Sequence, residues 1–364
     1  MATPQETVWP IDPHTKAKHE ILKRYLQAWF PILGTRHDRV IYVDGFSGPG
    51  RYKGGEPGSP LIALQVAVEH KDSLKGDVIF LFVDNRKDRV EHLKSELQKV
   101  TLPKNFKVDA EEGRFDELFL GLLHSLKEDK KTLAPSFVFI DPFGFAGAPF
   151  ELVKEVLQNP RCEVFVTFMV NPIQRFLEHP DETIRNHFVD LFGTEQVLRL
   201  ADGGGDRVEA LRELYQRQLE SCATFVRSFE IRDQPERVLY YLFFASQHPL
   251  GHEKMKEAMW RADPTGAFRF RDNTDPTQLV LLDPAADVAE QVVKVILGRF
   301  ASQTLRAETV KEYVLNETPF LDKHKTAAMR LIEQRELVAV EPRKAPATKR
   351  RKGTFPDDVV LHFK

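Results

Sequence analysis

Five short apolar runs, at 39–43, 78–83, 105–108, 136–140 and 163–169, constrain this chain most, because stretches such as Val-Ile-Phe-Leu-Phe-Val and Ser-Phe-Val-Phe-Ile show no polar alternation. A strand without a polar face is covered on both sides. Helix-like stretches at 61–70, 86–99, 115–128 and 150–157 separate the runs, and such alternation builds a doubly wound α/β domain around a parallel sheet. An amphipathic helix at 14–30 precedes them, with Ile21, Leu22, Tyr25, Leu26 and Trp29 at helical spacing. Ser59 before Pro60 is the expected cap of the next helix.

Further along, a helical insert is expected over about 173–221, broken near 202–205. Runs at 223–232 and 237–245, split by Asp233-Gln234-Pro235, then close the sheet as an antiparallel pair. The stretch 263–285, punctuated by Pro and Asp, reads as a linker between residues 1–262 and 286–364. Helices at 287–300, 306–315 and 322–334, followed by strands at 337–340 and 359–363, give the pattern of a winged helix-turn-helix.

Charge narrows the partners. With 52 basic against 54 acidic residues the net charge is -2, so affinity for nucleic acid has to come from local patches. Cys162 and Cys222 have neither metal-ligand spacing nor a disulfide framework around them. No secretory signal opens the chain and no apolar run approaches a membrane span, so the expected location is the cytoplasm. His248 and His252 read as loop residues rather than metal ligands, and no metal is expected. Most of the 27 phenylalanines are expected in the core.

The chemistry concentrates at strand ends. Asp44, Gly45, Phe46, Ser47, Gly48, Pro49 and Gly50 follow the first strand. A carboxylate there accepts hydrogen bonds from a ligand amine or hydroxyl, and glycines let the backbone come close. A dinucleotide fingerprint wants G-x-G-x-x-G running straight into a helix, whereas this loop reads D-x-F-x-G-x-G and continues as a polar loop. The alternative reading is an ordinary tight turn. A second acid, Asp84, ends the next strand, 40 residues on, against the roughly 20 of a minimal βαβ unit, so an extra loop and helix are inserted.

This loop resembles motif I of class I S-adenosylmethionine-dependent methyltransferases. The resemblance implies S-adenosylmethionine as cofactor, held by Asp44, Gly45, Phe46, Ser47, Gly48 and Gly50, with Asp84 on the ribose and Asp109 or Glu111 near the adenine. Asp141, Pro142 and Phe143 end the fourth strand, where base amino-methyltransferases carry Asp/Asn-Pro-Pro-Tyr/Phe. There the acid accepts the amine N–H groups, Pro fixes the backbone, and an aromatic ring stacks on an extruded base. Here Phe143 replaces the second Pro and Gly144 the aromatic residue, leaving Phe143 or Phe145 to stack. A strand-ending turn with two buried rings is the structural alternative.

His14-Thr15-Lys16-Ala17-Lys18-His19, the stretch Tyr42 to Tyr52, Gly58-Ser59-Pro60-Leu61-Ile62-Ala63 and Ile140 to Gly144 together resemble the three-Cys-motif partner proteins, methyltransferase-like proteins paired with an iron–sulfur, radical-enzyme-like three-cysteine protein. A more distant likeness is to the large-subunit ribosomal RNA adenine-N6 methyltransferase, which implies that Lys16 or Lys18 lies beside the cofactor. Two functions follow: methyl transfer to a base amine of DNA or RNA, or a catalytically weak nucleic-acid-binding partner of the three-cysteine protein. Expected nucleic-acid contacts are Lys323, Lys325 and Arg330 on a recognition helix with His324, the wing residues Lys349, Arg350, Arg351 and Lys352, and Arg175 after Asn171-Pro172.

Overall fold

The apolar runs become strands β1 (Arg39–Asp44), β2 (Asp77–Asp84), β3 (Phe106–Glu112), β4 (Ser136–Ile140) and β5 (Glu163–Phe168), all parallel, in the spatial order β3-β2-β1-β4-β5. The computed structural model describes residues 4–200, 206–233, 237–263, 269–271, 284–341 and 351–364. Strands β6 (Phe225–Arg232) and β7 (Val238–Ser246) form the expected antiparallel hairpin, and β7 inserts between β5 and β6. A short strand not foreseen, β8 (Arg269–Arg271), pairs parallel with β6, so part of the stretch read as linker joins the sheet. Residues 234–236, 264–268 and 272–283 lie outside the described residues.

Strands β1, β2 and β4 turn aromatic rings to one face and aliphatic chains to the other. Tyr42, Phe80, Phe82, Phe137, Phe139 and Phe165 are buried with Tyr25 and Phe30 of α1 (Pro13–Gly34), which packs beside α2 (Ser59–Glu69). Alternate residues, Val43, Val83, Val138, Ile140, Val164 and Val166, join the core on the other face, which Phe115, Phe119, Phe168 and Tyr215 share. Full burial of one such side chain is worth roughly 1.5–3 kcal/mol, so the phenylalanine richness has a structural address. Helix α3 (Lys87–Leu97) follows β2, and α4 (Phe115–Glu128) and α5 (Phe150–Leu157) cover the aliphatic face.

The region expected as one long insert resolves into α6 (Val170–Phe176), α7 (Glu182–Phe192), α8 (Gln196–Arg199) and α9 (Arg207–Glu220); the break expected near 202–205 lies outside the described residues. Asn171 and Pro172 sit in the first turn of α6, the position where Pro is tolerated. The cap of α2 is Gly58 rather than Ser59, which occupies the first helical turn. His252 belongs to α10 (Pro249–Ala262), not to a loop; it is buried against the Phe225 ring and accepts from Arg227 Nε at 3.3 Å.

Two compact units divide the chain, 1–258 with 269–273, and 259–268 with 274–364. The second contains α11 (Pro284–Phe300), β9 (Thr304–Arg306), α12 (Ala307–Glu317), α13 (Asp322–Gln334), β10 (Val338–Val340) and β11 (Val360–Phe363), with an antiparallel sheet ordered β10-β11-β9. Its core holds Val292, Ile296, Val310, Val314, Met329, Ile332 and Leu361. Among the described residues, no helix is long and apolar enough to cross a membrane.

Candidate active site

Strand order reverses between β1 and β4, since the chain leaves β1 toward β2 on one side and returns as β4 on the other. Connections diverge there, and the carboxyl ends of the two strands frame a crevice. A cleft of about 340 Å³ occupies it, lined by the loop after β1, Asp141, Pro142 and Phe143 after β4, Thr167 and Met169 at the end of β5, and Tyr240 of β7. That volume suits a small-molecule ligand.

The loop after β1 is shaped by backbone bonds. Gly45 N–H donates to the Phe139 carbonyl at 3.0 Å and Ser47 N–H to the Val83 carbonyl at 2.9 Å. Gly48, at φ +61°, donates its N–H to Asp84 Oδ2 at 3.0 Å. A side chain at that backbone angle is strained. At Gly45 the limit is space, because a Cβ would stand 2.5 Å from the Phe115 ring.

Asp44 ends β1 fully buried. Its Oδ1 accepts from Phe46 N–H at 3.2 Å, and its Oδ2 is buried with no hydrogen-bond partner. Burial pushes the carboxyl up to about 7, against the pull of the nearby Ser59 hydroxyl and the Phe46 amide. His19 Nδ1, Ser47 Oγ and Thr167 Oγ1 are likewise buried without partners, and these three residues line the cleft. Unmet buried polar atoms are uncommon in native proteins, and three on one cleft, with Asp44 behind its lining, mark it as built for a polar ligand. Burial, reinforced by Lys18, lowers His19 to about 3, so its ring is neutral at physiological pH.

Asp141 is held from across the cleft. Lys18 Nζ of α1, itself buried, donates to Asp141 Oδ2 at 2.5 Å and lies 5.5 Å from the Tyr240 ring centroid. Of the two candidate rings, Phe143 lines the cleft, edge-on to Trp9 at 5.8 Å and under the Arg89 guanidinium at 5.2 Å. Phe145 turns away and packs on Phe188 at 4.8 Å.

Other expected site residues fall elsewhere. Asp84 is buried with both oxygens on protein donors, Gly48 N–H at 3.0 Å and Arg86 N–H at 2.9 Å, and Arg89 stands 3.8 Å away; it braces the loop. Asp109 and Glu111 are exposed within edge strand β3, which runs to Glu112, and line no part of the cleft. Arg175 is exposed on α6, outside the cleft. On α13, Lys323 and Arg330 are exposed, but Lys325 is buried and paired to Asp322 at 2.7 Å, which removes it from the expected phosphate contacts. His324 is packed against Trp260, its centroid 4.3 Å from the indole. Arg351 and Lys352 are exposed; Lys349 and Arg350 lie outside the described residues.

Sequence reasoning missed the roof. Pro4 and Trp9 line the cleft from a segment with no periodic signal, anchored where Lys53 N–H donates to the Trp9 carbonyl at 2.9 Å and Arg89 donates to the Pro4 carbonyl at 2.8 Å. It also missed Thr167, Met169 and Tyr240, which only the folded sheet brings to the crevice. No group of three or more His, Cys, Asp or Glu side chains suited to a metal occurs among the described residues.

No protein-family model matches the chain, and no curated protein matches it. Among the solved structures that resemble it are methyltransferases. They include an O-methyltransferase from Bacillus cereus in complex with SAH, at 13% identity over 65% of this chain and 82% of that one with a TM-score of 0.34. Trm1 from Pyrococcus horikoshii with S-adenosyl-L-methionine matches at 12% identity and a TM-score of 0.36, over 71% of this chain and 61% of Trm1. A precorrin-6y C5,15-methyltransferase from Geobacter metallireducens matches at 11% identity, over 61% of this chain and 87% of the other, with a TM-score of 0.29. At TM-scores this low the likenesses carry no weight for ligand or substrate, which rest on the cleft itself.

Proposed function

We propose that the cleft binds S-adenosylmethionine and that the chain transfers the methyl group to a base amine of DNA or RNA, with the second unit serving as a winged helix-turn-helix that docks the nucleic acid. The unmet buried polar atoms of His19, Ser47 and Thr167, lining the crevice where strand order reverses with Asp44 directly behind them, carry this reading. When bound, the cofactor supplies an electrophilic methyl group. Asp44 Oδ2 accepts an N–H or O–H of the ligand, and the loop Gly45 to Gly50 supplies a close backbone wall whose shape Asp84 maintains. Asp141 accepts an N–H of the acceptor amine and takes its proton, while Lys18 fixes that carboxylate in place. Lys323, Arg330, Arg351 and Lys352, all exposed, are the candidate phosphate contacts on the second unit, each worth a salt slope of up to about -0.9 on duplex DNA.

Calorimetric titration with S-adenosylmethionine and S-adenosylhomocysteine tests the cofactor. Micromolar binding that weakens at least about a hundredfold in Asp44→Ala is the expected result; no binding to the parent protein overturns the reading. For the chemistry, mass spectrometry of nucleosides should find a methylated base that disappears in Asp141→Ala while cofactor binding persists.

One observation favours the second reading, a nucleic-acid-binding partner of a three-cysteine iron–sulfur protein with little catalysis of its own. Phe143 lines the cleft with its ring already engaged by Trp9 and Arg89, Phe145 packs on the core, and Gly144 offers no ring. Tight nucleic-acid binding and co-purification with such a protein, without any methylated product, would select it.

A further inference from the structure

A second concavity lies at the opposite, amino edge of the sheet, where β5 begins and β7 ends. Tyr25, Trp29, Ile32 and Leu33 of α1, with Leu250 and Glu163, enclose about 340 Å³. Glu163 is its satisfied acid, accepting from Tyr25 Oη at 2.5 Å and from Ser246 Oγ at 2.8 Å. Burial pushes it up to about 7, which weakens its charge toward an anion.

The rim is the unusual part. Arg36, His37, Arg161, His248 and Lys254 all line the same cavity. Lys254 is paired with Glu257 at 2.9 Å, but Arg36 and Arg161, both exposed at the cavity mouth, have no ion-pair or side-chain hydrogen-bond partner among the described residues. Both lie near His37 and depress its proton affinity, after burial and against Asp38. Arg161 stands at φ +61°, a left-handed backbone that an arginine adopts only at a steric cost. Trp29, only 3% exposed, keeps its Nε1 beside Glu163 without an aligned acceptor, so a buried donor at the cavity wall is unmet. The amino end of α10 at Pro249 adds its positive dipole end to the rim.

We propose that this cavity binds a small flat organic anion, an aromatic or heteroaromatic carboxylate or phosphate monoester, with its charged head toward Arg36 and Arg161 and its ring against Trp29 and Leu250. Two guanidinium groups on one rim suit either head, and the apolar walls suit a ring. No residue of this cavity lines the cleft at the carboxyl edge, so the two sites are independent.

Calorimetry on the full chain with 2-naphthoate, 2-naphthyl phosphate and neutral 2-naphthol tests it. At least one anion should bind, with naphthol at least tenfold weaker, and the tighter anion identifies the preferred head. Arg161→Gly is the decisive variant: glycine accepts the left-handed backbone, so the protein folds, and only the guanidinium is lost. Binding should weaken at least tenfold in Arg161→Gly and in Arg36→Ala, and remain unchanged in Asp44→Ala. No binding of either anion, naphthol binding as tightly as the anions, or parental affinity in both arginine variants would overturn the proposal. So would loss of binding in Asp44→Ala, which would place the anion in the other cleft.

Discussion

Asp44 and Glu163 stand at opposite ends of the same sheet, both fully buried and both pushed up to about 7 by desolvation, yet they are solvated by the protein in different ways. Glu163 has a donor on each oxygen, from Tyr25 and Ser246. Asp44 has Phe46 N–H on one oxygen and no aligned donor on the other, only the nearby Ser59 and Tyr42 hydroxyls. Depth therefore does not separate an architectural carboxyl from a recognition group; satisfaction of its lone pairs does.

Breaking the satisfied side should cost most. Glu163→Ala orphans the Tyr25 and Ser246 hydroxyls and leaves a void, so urea unfolding at pH 5 should show a loss of about 3 kcal/mol. The open side should respond with the opposite sign. Asp44 has its folded pKa raised from 3.8 to about 7, so the stability it contributes is fully present below pH 4 and is lost as pH rises to 7. Asp44→Asn should therefore match the parent near pH 4 and exceed it by about 4 kcal/mol at pH 8, even as it loses ligand binding; a pH-independent difference would show that Asp44 carries no such burial penalty. Tyr25→Phe, which removes one donor from Glu163, should cost about 1–1.5 kcal/mol in the same unfolding experiment. Smallest of all, Ser47→Ala deletes a hydroxyl that has no partner, and its unfolding free energy should stay within about 0.5 kcal/mol of the parent.

Much of the first unit was legible because its signals are local. Unalternating apolar runs betray buried parallel strands, and the order of Gly45, Gly48 and Gly50 after Asp44 betrays a loop needing close approach and left-handed backbone. The cleft's wiring was not legible in the same way: Lys18 and Asp141 are 123 residues apart, and Trp9 sits in a segment without period. Two misreadings had signals that went unused. Lys325 shares the helical face of Ala328, Met329 and Ile332, which periodicity assigns to the interior. Strand β3 continues past Val108 because an edge strand carries charged residues such as Asp109 and Glu111 without penalty.

The brace on the first loop also bears on how this protein can change. Asp84 grips the loop through the Gly48 amide, a group that every residue except proline possesses, and not through the side chains of Phe46, Ser47 or Pro49 that face the cleft. Shape and lining are thereby inherited separately: the curve of the wall survives replacement of its surface. Ligand preference can drift, or be redesigned, at Phe46 and Ser47 while the same backbone trace is retained.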